Sequence, residues 1–331
     1  MSQRKFFVTG GLGCIGAETT KWLLATTTDP IVICGRDMSA ERLERVFPGV
    51  DRERLLPVVA DVTDQSLLSR ILREHEVSHV IHLAALQTPD CNRHRDLGLQ
   101  INLGGTQKLI EAMKENIDLI QRFVFASSVA VYGPRASYPE GPVPMLAEPQ
   151  PVNVYGAWKL AGENISRMFA ADTGIATLSL RPGVLFGPGR DAGLTSTPTT
   201  AMKHVALGLP YQIPFRNRQD YLYAPDVGAA FGHATTEPFN GYGVFTLPSH
   251  TLQTSEIVAS IQSAADRLGI AEKCELSIGD EDVPFICDLE YQPFCDAFPK
   301  APVTPIDAAI EDSIRTFRDQ GNKGLLQPAA P

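Results

Sequence analysis

The chain has 331 residues, 44% of them apolar, and a formal net charge of −9. That length and apolar content support two lobes, and the acidic balance argues against nucleic acid or an anionic membrane as partner, since both repel it. No apolar run is long enough for a membrane span, and Met1-Ser2-Gln3-Arg4-Lys5 leads straight into strand-like residues, so the expectation is a cytoplasmic protein acting on a small molecule.

The first predicted strand is Lys5–Thr9, and Gly10-Gly11-Leu12-Gly13-Cys14-Ile15-Gly16 follows it directly, satisfying GxxGxxG and GxGxxG together. Such a turn lets backbone N–H groups approach a pyrophosphate at a helix N-terminus, and helical spacing over Cys14–Ala25 supplies that helix. A lone glycine motif is weak evidence; strand before and helix after strengthen it.

A second strand, Ile31–Cys34, ends in Gly35-Arg36-Asp37. A small residue followed by arginine favours the 2′-phosphate of NADP, whereas Asp37 turned inward would favour NAD. Arg36 taken alone also reads as a solvated surface charge. Glu41–Arg45 alternates in sign, as a solvated helix face does.

Strands over Leu56–Ala60, His79–Ala84, Arg122–Ala126 and Ala176–Arg181 alternate with helices over Gln65–Glu74, Leu99–Glu115 and Tyr155–Ala171. This alternation predicts an α/β fold, a doubly wound parallel sheet of Rossmann type, with residues 1–181 as a dinucleotide-binding domain. After Pro182 the texture becomes Gly- and Pro-rich, with helices near Thr254–Leu268 and Pro305–Asp319 and a loose tail from Gly324. Residues 182–331 are therefore expected to form a smaller, loop-rich substrate lobe that partly returns to the first domain.

Asn153 suits the N-cap of the helix that carries Tyr155 and Lys159 at i and i+4 on one face. A phenol titrates near pH 10, and a neighbouring ammonium stabilises the phenolate, which brings proton transfer toward neutral pH. YxxxK alone arises readily by chance. Its context is the strand ending Phe125-Ala126-Ser127-Ser128, whose carboxyl end should face the ligand crevice, where a serine can hydrogen-bond a reacting oxygen. Without the other two features, both serines would read as ordinary strand-end caps.

His75, His79 and His82 run from a helix end into a strand and should not converge, so no metal site is expected. No G-x-S-x-G elbow for a Ser/His/Asp hydrolase is present. The six cysteines (Cys14, Cys34, Cys91, Cys274, Cys287, Cys295) are scattered without a CxxC pair, as free thiols in a reducing compartment are.

The glycine turn, the serine and the YxxxK pair are joined by Asp61-Val62, His82-Leu83-Ala84-Ala85 and Asn102-x-x-Gly105-Thr106. Leu180-Arg181-Pro182-Gly183 through Gly187-Pro188, and Asp220 to Val227, extend the pattern. Together they resemble the extended short-chain dehydrogenase/reductase family, more narrowly its NAD-dependent epimerase/dehydratase group, over nearly the whole chain. The resemblance implies that Gly10, Gly13, Cys14, Ile15 and Gly16 cradle the pyrophosphate, that Asp61 and Val62 border the adenine, and that Leu83, Ala84 and Ala85 line the dinucleotide. Asn102 would support that wall. Ser128, four residues before Tyr132, would be the catalytic hydroxyl in preference to Ser127, beside Tyr155 and Lys159; both of these would also contact the cofactor, Lys159 at the nicotinamide ribose.

Sugar-nucleotide epimerases of the family place an asparagine and an arginine on the substrate diphosphate, where this chain has Val184 and Gln219; a one-residue slip would bring Arg218 into the second role. The segment Gly187–Thr200, rich in hydroxyls, looks more like the L-threonine and D-erythronate dehydrogenase branch. Arg190 could take a carboxylate, with Thr195 and Ser196 on hydroxyls, unless the segment is simply a surface loop. The expected function is reversible NAD(P)-dependent hydride transfer at a secondary alcohol of a sugar acid, hydroxy acid or amino acid. The alternatives are a sugar or sugar-nucleotide epimerase/dehydratase and a non-catalytic dinucleotide-binding redox sensor. Family habit implies a homodimer through Leu99–Glu115 and Tyr155–Ala171.

Overall fold

The computed structural model describes residues 4–50, 52–193, 195–283 and 286–326. The tail expected to be loose lies largely beyond these. In chain order the elements are β1 (Phe6–Thr9), α1 (Cys14–Thr26), β2 (Ile31–Gly35), α2 (Ala40–Val46), β3 (Leu55–Val59), α3 (Gln65–Glu74), β4 (His79–His82), α4 (Thr88–Arg93) and α5 (Arg95–Gly98). A π-helical segment, Leu99–Gly104, leads into α6 (Gly105–Glu115), so the helix expected over Leu99–Glu115 begins with a wider turn. Then come β5 (Arg122–Ala126), α7 (Val154–Thr173), β6 (Ala176–Arg181), β7 (Val184–Phe186), α8 (Thr197–Leu207), β8 (Tyr211–Phe215), β9 (Arg218–Tyr223) and α9 (Ala224–Thr236). The chain closes with β10 (Tyr242–Thr246), β11 (His250–Gln253), α10 (Thr254–Arg267), β12 (Leu276–Glu281), α11 (Gln292–Ala297) and α12 (Ile306–Asn322).

Seven parallel strands form the main sheet in the order β10-β6-β5-β4-β1-β2-β3. All four residues of β1 and β4 and all five of β5 are buried, because helices cover both faces of the sheet. One face buries Phe6, Val8, Leu23 and Phe231; the other buries Phe7, Val80, Leu109 and Phe123.

The second half holds more regular structure than its Gly and Pro content suggests. Pro198 and Pro225 occupy the first turns of α8 and α9, where a missing N–H costs nothing, so proline opens helices here and does not mark loops. The hydroxyl-rich segment read as a loop to Thr200 accordingly becomes helical at Thr197. Gly228 and Gly232, one turn apart on α9, let that helix lie against α1: a β-carbon on Gly232 would fall 2.1 Å from the Trp22 ring. After α9, β10 adds to β6 and completes the sheet. A separate core built from Phe186, Met202, Ile213, Tyr221, Ile261 and Phe317 underlies β7–β9, α8, α10 and α12. Among the described residues, no helix is long and apolar enough to cross a membrane.

Candidate active site

Strand order reverses beside β1, whose sheet neighbours are β2 and β4, so the connections leaving β1 and β4 diverge and open a crevice at their carboxyl ends. The turn after β1 requires its glycines. Gly10 has φ +68° and donates its N–H to the Cys34 carbonyl at 2.9 Å, and a β-carbon on Gly16 would sit 2.2 Å from the Gly10 carbonyl oxygen. At the start of α1, Gly13 offers no side-chain cap and the first turn carries no acid, so the helix's own first turn does not neutralise its positive end.

A cavity of about 580 Å³ opens there. Its walls include Gly10, Gly13, Cys14, Ile15 and Gly16 from the turn, Leu83, Ala84 and Ala85 beyond β4, and Ser128, Tyr155, Lys159, Arg190 and Thr195. Five other expected residues do not line it. Arg36 is exposed at the end of β2. The Asp61 carboxylate accepts from the Thr63 N–H (2.9 Å) and hydroxyl (2.7 Å), and the Thr63 bonds, with the nearby Arg36 charge, keep it below the usual carboxylate range. Val62 is buried against Gly105. Asn102, 1% exposed, accepts from Leu86 N–H at 2.8 Å and donates to Leu86 C=O at 2.9 Å, clamping the connection after β4 from behind. The Ser196 hydroxyl turns away to donate to the Gly193 carbonyl at 2.9 Å.

Behind the same wall, the Thr9 hydroxyl oxygen accepts from the N–H groups of Leu83 (3.1 Å) and Ala84 (3.2 Å). Its proton is then free to go to His82 Nδ1 at 2.7 Å, and His82 Nε2 faces the Thr106 hydroxyl at 3.0 Å. Burial holds His82 neutral, down at about 3. It is a structural tie between β1, β4 and α6.

Ser128 leaves β5 in an extended conformation, and its Oγ accepts from Ala130 N–H at 3.1 Å. Asn153 caps α7 by accepting from Gly156 N–H at 2.9 Å, which places Tyr155 in the first turn, within hydrogen-bonding reach of Ser128. Gly156 makes this approach possible. A β-carbon there would lie 2.0 Å from the Ala130 carbonyl oxygen, forcing α7 away from Ser128.

One turn on, Lys159 is 4% exposed and donates to the Ala126 carbonyl at 2.6 Å, with Nζ 5.7 Å from the Tyr155 ring centre. Burial raises the Tyr155 phenol, and the groups that draw it back down are Ser128 and then Arg190. The Lys159 ammonium thus spends one of its three N–H donors on a backbone carbonyl and stays beside the Tyr155 ring, and Arg190 is a second cation across the cavity, which sequence reasoning had not placed near Tyr155.

Burial lowers Lys159 from 10.5 to about 8, against smaller opposing pulls from Cys91 and Glu163. Below about pH 8 the folded chain keeps the charge and its desolvation opposes folding in full. Between there and the ordinary lysine value the unfolded chain binds more protons, so this group's contribution to stability rises with pH. Relative to Lys159→Met, the wild type should gain about 1–3 kcal/mol between about pH 7 and pH 10, read from urea midpoints. A flat difference would mean that the ammonium is solvated.

A buried ion pair supports the site from behind. Glu163 and Arg181 are 5% and 4% exposed and pair through two contacts of 2.7 Å; Arg181 also donates to Tyr132 Oη (2.7 Å) and the Met145 carbonyl (2.9 Å). Glu163 accepts the Ser127 hydroxyl, which is thereby engaged by the ion pair. Sequence reasoning missed this pair. Its signal was an acid one turn beyond Lys159 on the face of Tyr155, and an arginine closing the next strand.

On the opposite wall Arg190 donates to Gln87 Oε1 and Thr195 Oγ1, both at 3.2 Å, while its buried Nε has no partner among the described residues. Gly193, at φ +106°, lets the loop pass, since a β-carbon would meet Gln87 Oε1 at 2.2 Å. Cys14 is held as a neutral thiol, its pKa pushed up to about 12 by burial. Val184 lines the cavity, whereas Gln219 is fully buried elsewhere and Arg218 pairs with Asp288.

The model of the NAD dependent epimerase/dehydratase family matches residues 6–247. The chain belongs to that family. Within it, the D-erythronate dehydrogenase of Cupriavidus necator is 30% identical over 191 residues, covering 53% of this chain and 56% of the relative. The UDP-glucose 4-epimerase of Erwinia amylovora is 33% identical over 186 residues, covering 53% and 51%. The chain thus spans about half the length of the curated relatives it matches. Among solved structures, the UDP-glucose 4-epimerase of Thermotoga maritima with UDP-glucose aligns with a TM-score of 0.81 at 20% identity, over 96% of this chain and 99% of that one. The Thermus thermophilus UDP-glucose 4-epimerase in complex with NAD gives 0.78 at 24%, over 95% and 99%. These likenesses establish the Rossmann-type fold of this family member.

Proposed function

We propose that this family member transfers a hydride reversibly between a nicotinamide dinucleotide and a secondary alcohol of a small, carboxylate-bearing substrate. One observation carries the reading: Ser128, Tyr155 and Lys159 converge on the cavity that the glycine turn opens, with Arg190 on the far wall. A dinucleotide fits the turn, because a β-carbon at Gly16 would fill the space beside Gly10 and the first turn of α1 carries neither an acidic residue nor a side-chain cap. Gly10, Gly13, Cys14, Ile15 and Gly16 would hold its pyrophosphate, Leu83 to Ala85 its flank and Lys159 its ribose. Bound there, the nicotinamide supplies the hydride acceptor.

The chain's own residues manage the proton. Tyr155 accepts the proton of the substrate hydroxyl, with Ser128 and Arg190 opposing the rise that burial gives its phenol, and Ser128 holds that oxygen. Arg190, whose Nε has no partner among the described residues and whose two long hydrogen bonds can yield, receives the substrate carboxylate, and Thr195 an adjacent hydroxyl. Arg190→Met should raise KM for carboxylate substrates by about 10- to 100-fold through the lost charge-assisted hydrogen bonds. An unchanged KM in steady-state assays would remove Arg190 from the substrate site.

Asp37 is committed to Ser39 N–H at 3.0 Å and to Arg42 at 3.1 Å, leaving Arg36 as the open charge at the end of β2 and supporting NADP as well as the NAD of the family's name. The decisive experiment screens hydroxy acids, sugar acids, amino acids and sugar nucleotides with both cofactors, read as NAD(P)H absorbance. Net accumulation with an acid supports the proposal. Turnover of a nucleotide sugar without it would establish the epimerase reading, which the Erwinia relative favours and which shares the first step. A pure sensor would turn over nothing, and retention of both Tyr155 and Lys159 argues against it.

A homodimer belongs to the same proposal. Leu97 and Leu99, each 44% exposed, and Met168, 43% exposed, lie on α5, the π-helical segment and α7. Light scattering should return twice the single-chain mass, and a monomer at micromolar concentration would refute the pairing.

A further inference from the structure

A second cavity, of about 330 Å³, adjoins the first at Val283 and is lined by Arg135, Asn217, Arg218, Cys287 and Asp288. Two guanidiniums there face one carboxylate. Arg218 meets both Asp288 oxygens, at 2.8 and 3.1 Å, and Arg135 Nε lies 3.4 Å from one of them. Arg135 is otherwise engaged by the carbonyls of Tyr138, Pro139 and Gly141, whereas 48% of the Arg218 side chain is exposed.

Asp288 has φ +59°, a conformation that most residues other than glycine avoid and that Asp and Asn tolerate best. Its surroundings keep it there. The N–H groups of Asp288 and Leu289 donate to the two oxygens of the buried Asp220 carboxylate, at 3.0 and 3.1 Å, and Val143 N–H donates to the Asp288 carbonyl at 2.7 Å. Thr251 further fixes Asp220 with a hydroxyl bond of 2.6 Å. With its backbone pinned on both sides, the Asp288 carboxylate is a fixed occupant. Asp288 and Asp220 balance the two guanidiniums, leaving no net positive charge for an incoming anion.

We propose that Asp288 is a specificity-determining residue: a built-in carboxylate that fills the anion position of Arg218 and Arg135 beside the active cavity, so that substrates reaching past Val283 with a phosphate or diphosphate are excluded. The inference rests on the reading of the main cavity as the substrate site. It places the substrate's charged group at Arg190 and leaves its far end uncharged.

The test is calorimetric titration of inorganic pyrophosphate into the full-length protein saturated with NAD(P)H, which blocks the glycine turn. Asp288→Asn removes the charge while keeping a residue that tolerates positive φ. It should bind pyrophosphate roughly tenfold or more tighter than the wild type, about one charge-assisted hydrogen bond's worth. The gain should vanish in Asp288→Asn/Arg218→Gln. Should Asp288→Asn lose its cooperative melt, Asp288→Gly, which takes positive φ without strain, carries the same expectation. A gain under about twofold in a folded variant, a gain that survives Arg218→Gln, or tight pyrophosphate binding by the wild type that Arg218→Gln abolishes would each overturn the proposal. Because the readout is binding, a chain that turned over none of the screened alcohols would still answer it, so the two readings fail separately.

Discussion

Replacing Tyr155 by phenylalanine is expected to lower kcat by about two to four orders of magnitude, the usual worth of a positioned general acid or base. The substitution removes one oxygen and leaves the ring in place. Ser128 Oγ keeps its bond from Ala130 N–H, so no buried partner is orphaned, and the fold should lose less than about 1 kcal/mol. Dinucleotide affinity, set by the glycine turn and the wall after β4, should stay within a few fold. Steady-state kinetics and cofactor titration on the same preparation separate the two effects. Unchanged kcat with intact binding would remove Tyr155 from the chemistry.

Arg181→Met should cost about 3–5 kcal/mol in urea unfolding, because it strands a buried carboxylate. The Glu163 carboxylate would keep its bond from the Ser127 hydroxyl but lose both bonds from Arg181, and Tyr132 Oη would lose its charged neighbour. That loss is a large share of the roughly 5–15 kcal/mol that holds a typical domain together. Arg181→Met/Glu163→Leu should recover most of it, since apolar residues of similar volume replace a buried ion pair at little net cost. A single-variant loss below about 1 kcal/mol would mean that water reaches the pair, as it does at surface salt bridges.

Much of the site was legible wherever its chemistry lies on one stretch of chain. Gly10 to Gly16 form a strand–turn–helix whose close contacts follow from the spacing of the glycines. Tyr155 and Lys159 share a helix face because 3.6 residues make a turn. Gly156 was readable in principle, but its need for space comes from Ala130, 26 positions earlier. Gln87 gave no local signal, since its partner Arg190 is 103 residues away. Pro198 and Pro225 misled for a related reason: the same residue that ends a helix also starts one.

The amino-acid sequence by itself determined the alternating parallel architecture, the dinucleotide-type turn, and the serine, tyrosine and lysine that meet the cavity. The turn and the helix face follow from backbone geometry over a few consecutive residues, the architecture from the alternation of strand and helix, and the choice of Ser128 from the resemblance to the family's motif. Tertiary structure alone decided which charges act where. It committed Lys159 to the Ala126 carbonyl and set Arg190 across from Tyr155; it also placed Glu163 on Arg181, buried Gln219 and closed Arg218 onto Asp288. These pairings depend on distance and desolvation between segments far apart in the chain, and a charge's effect is fixed only when its neighbours and its exposure to water are known.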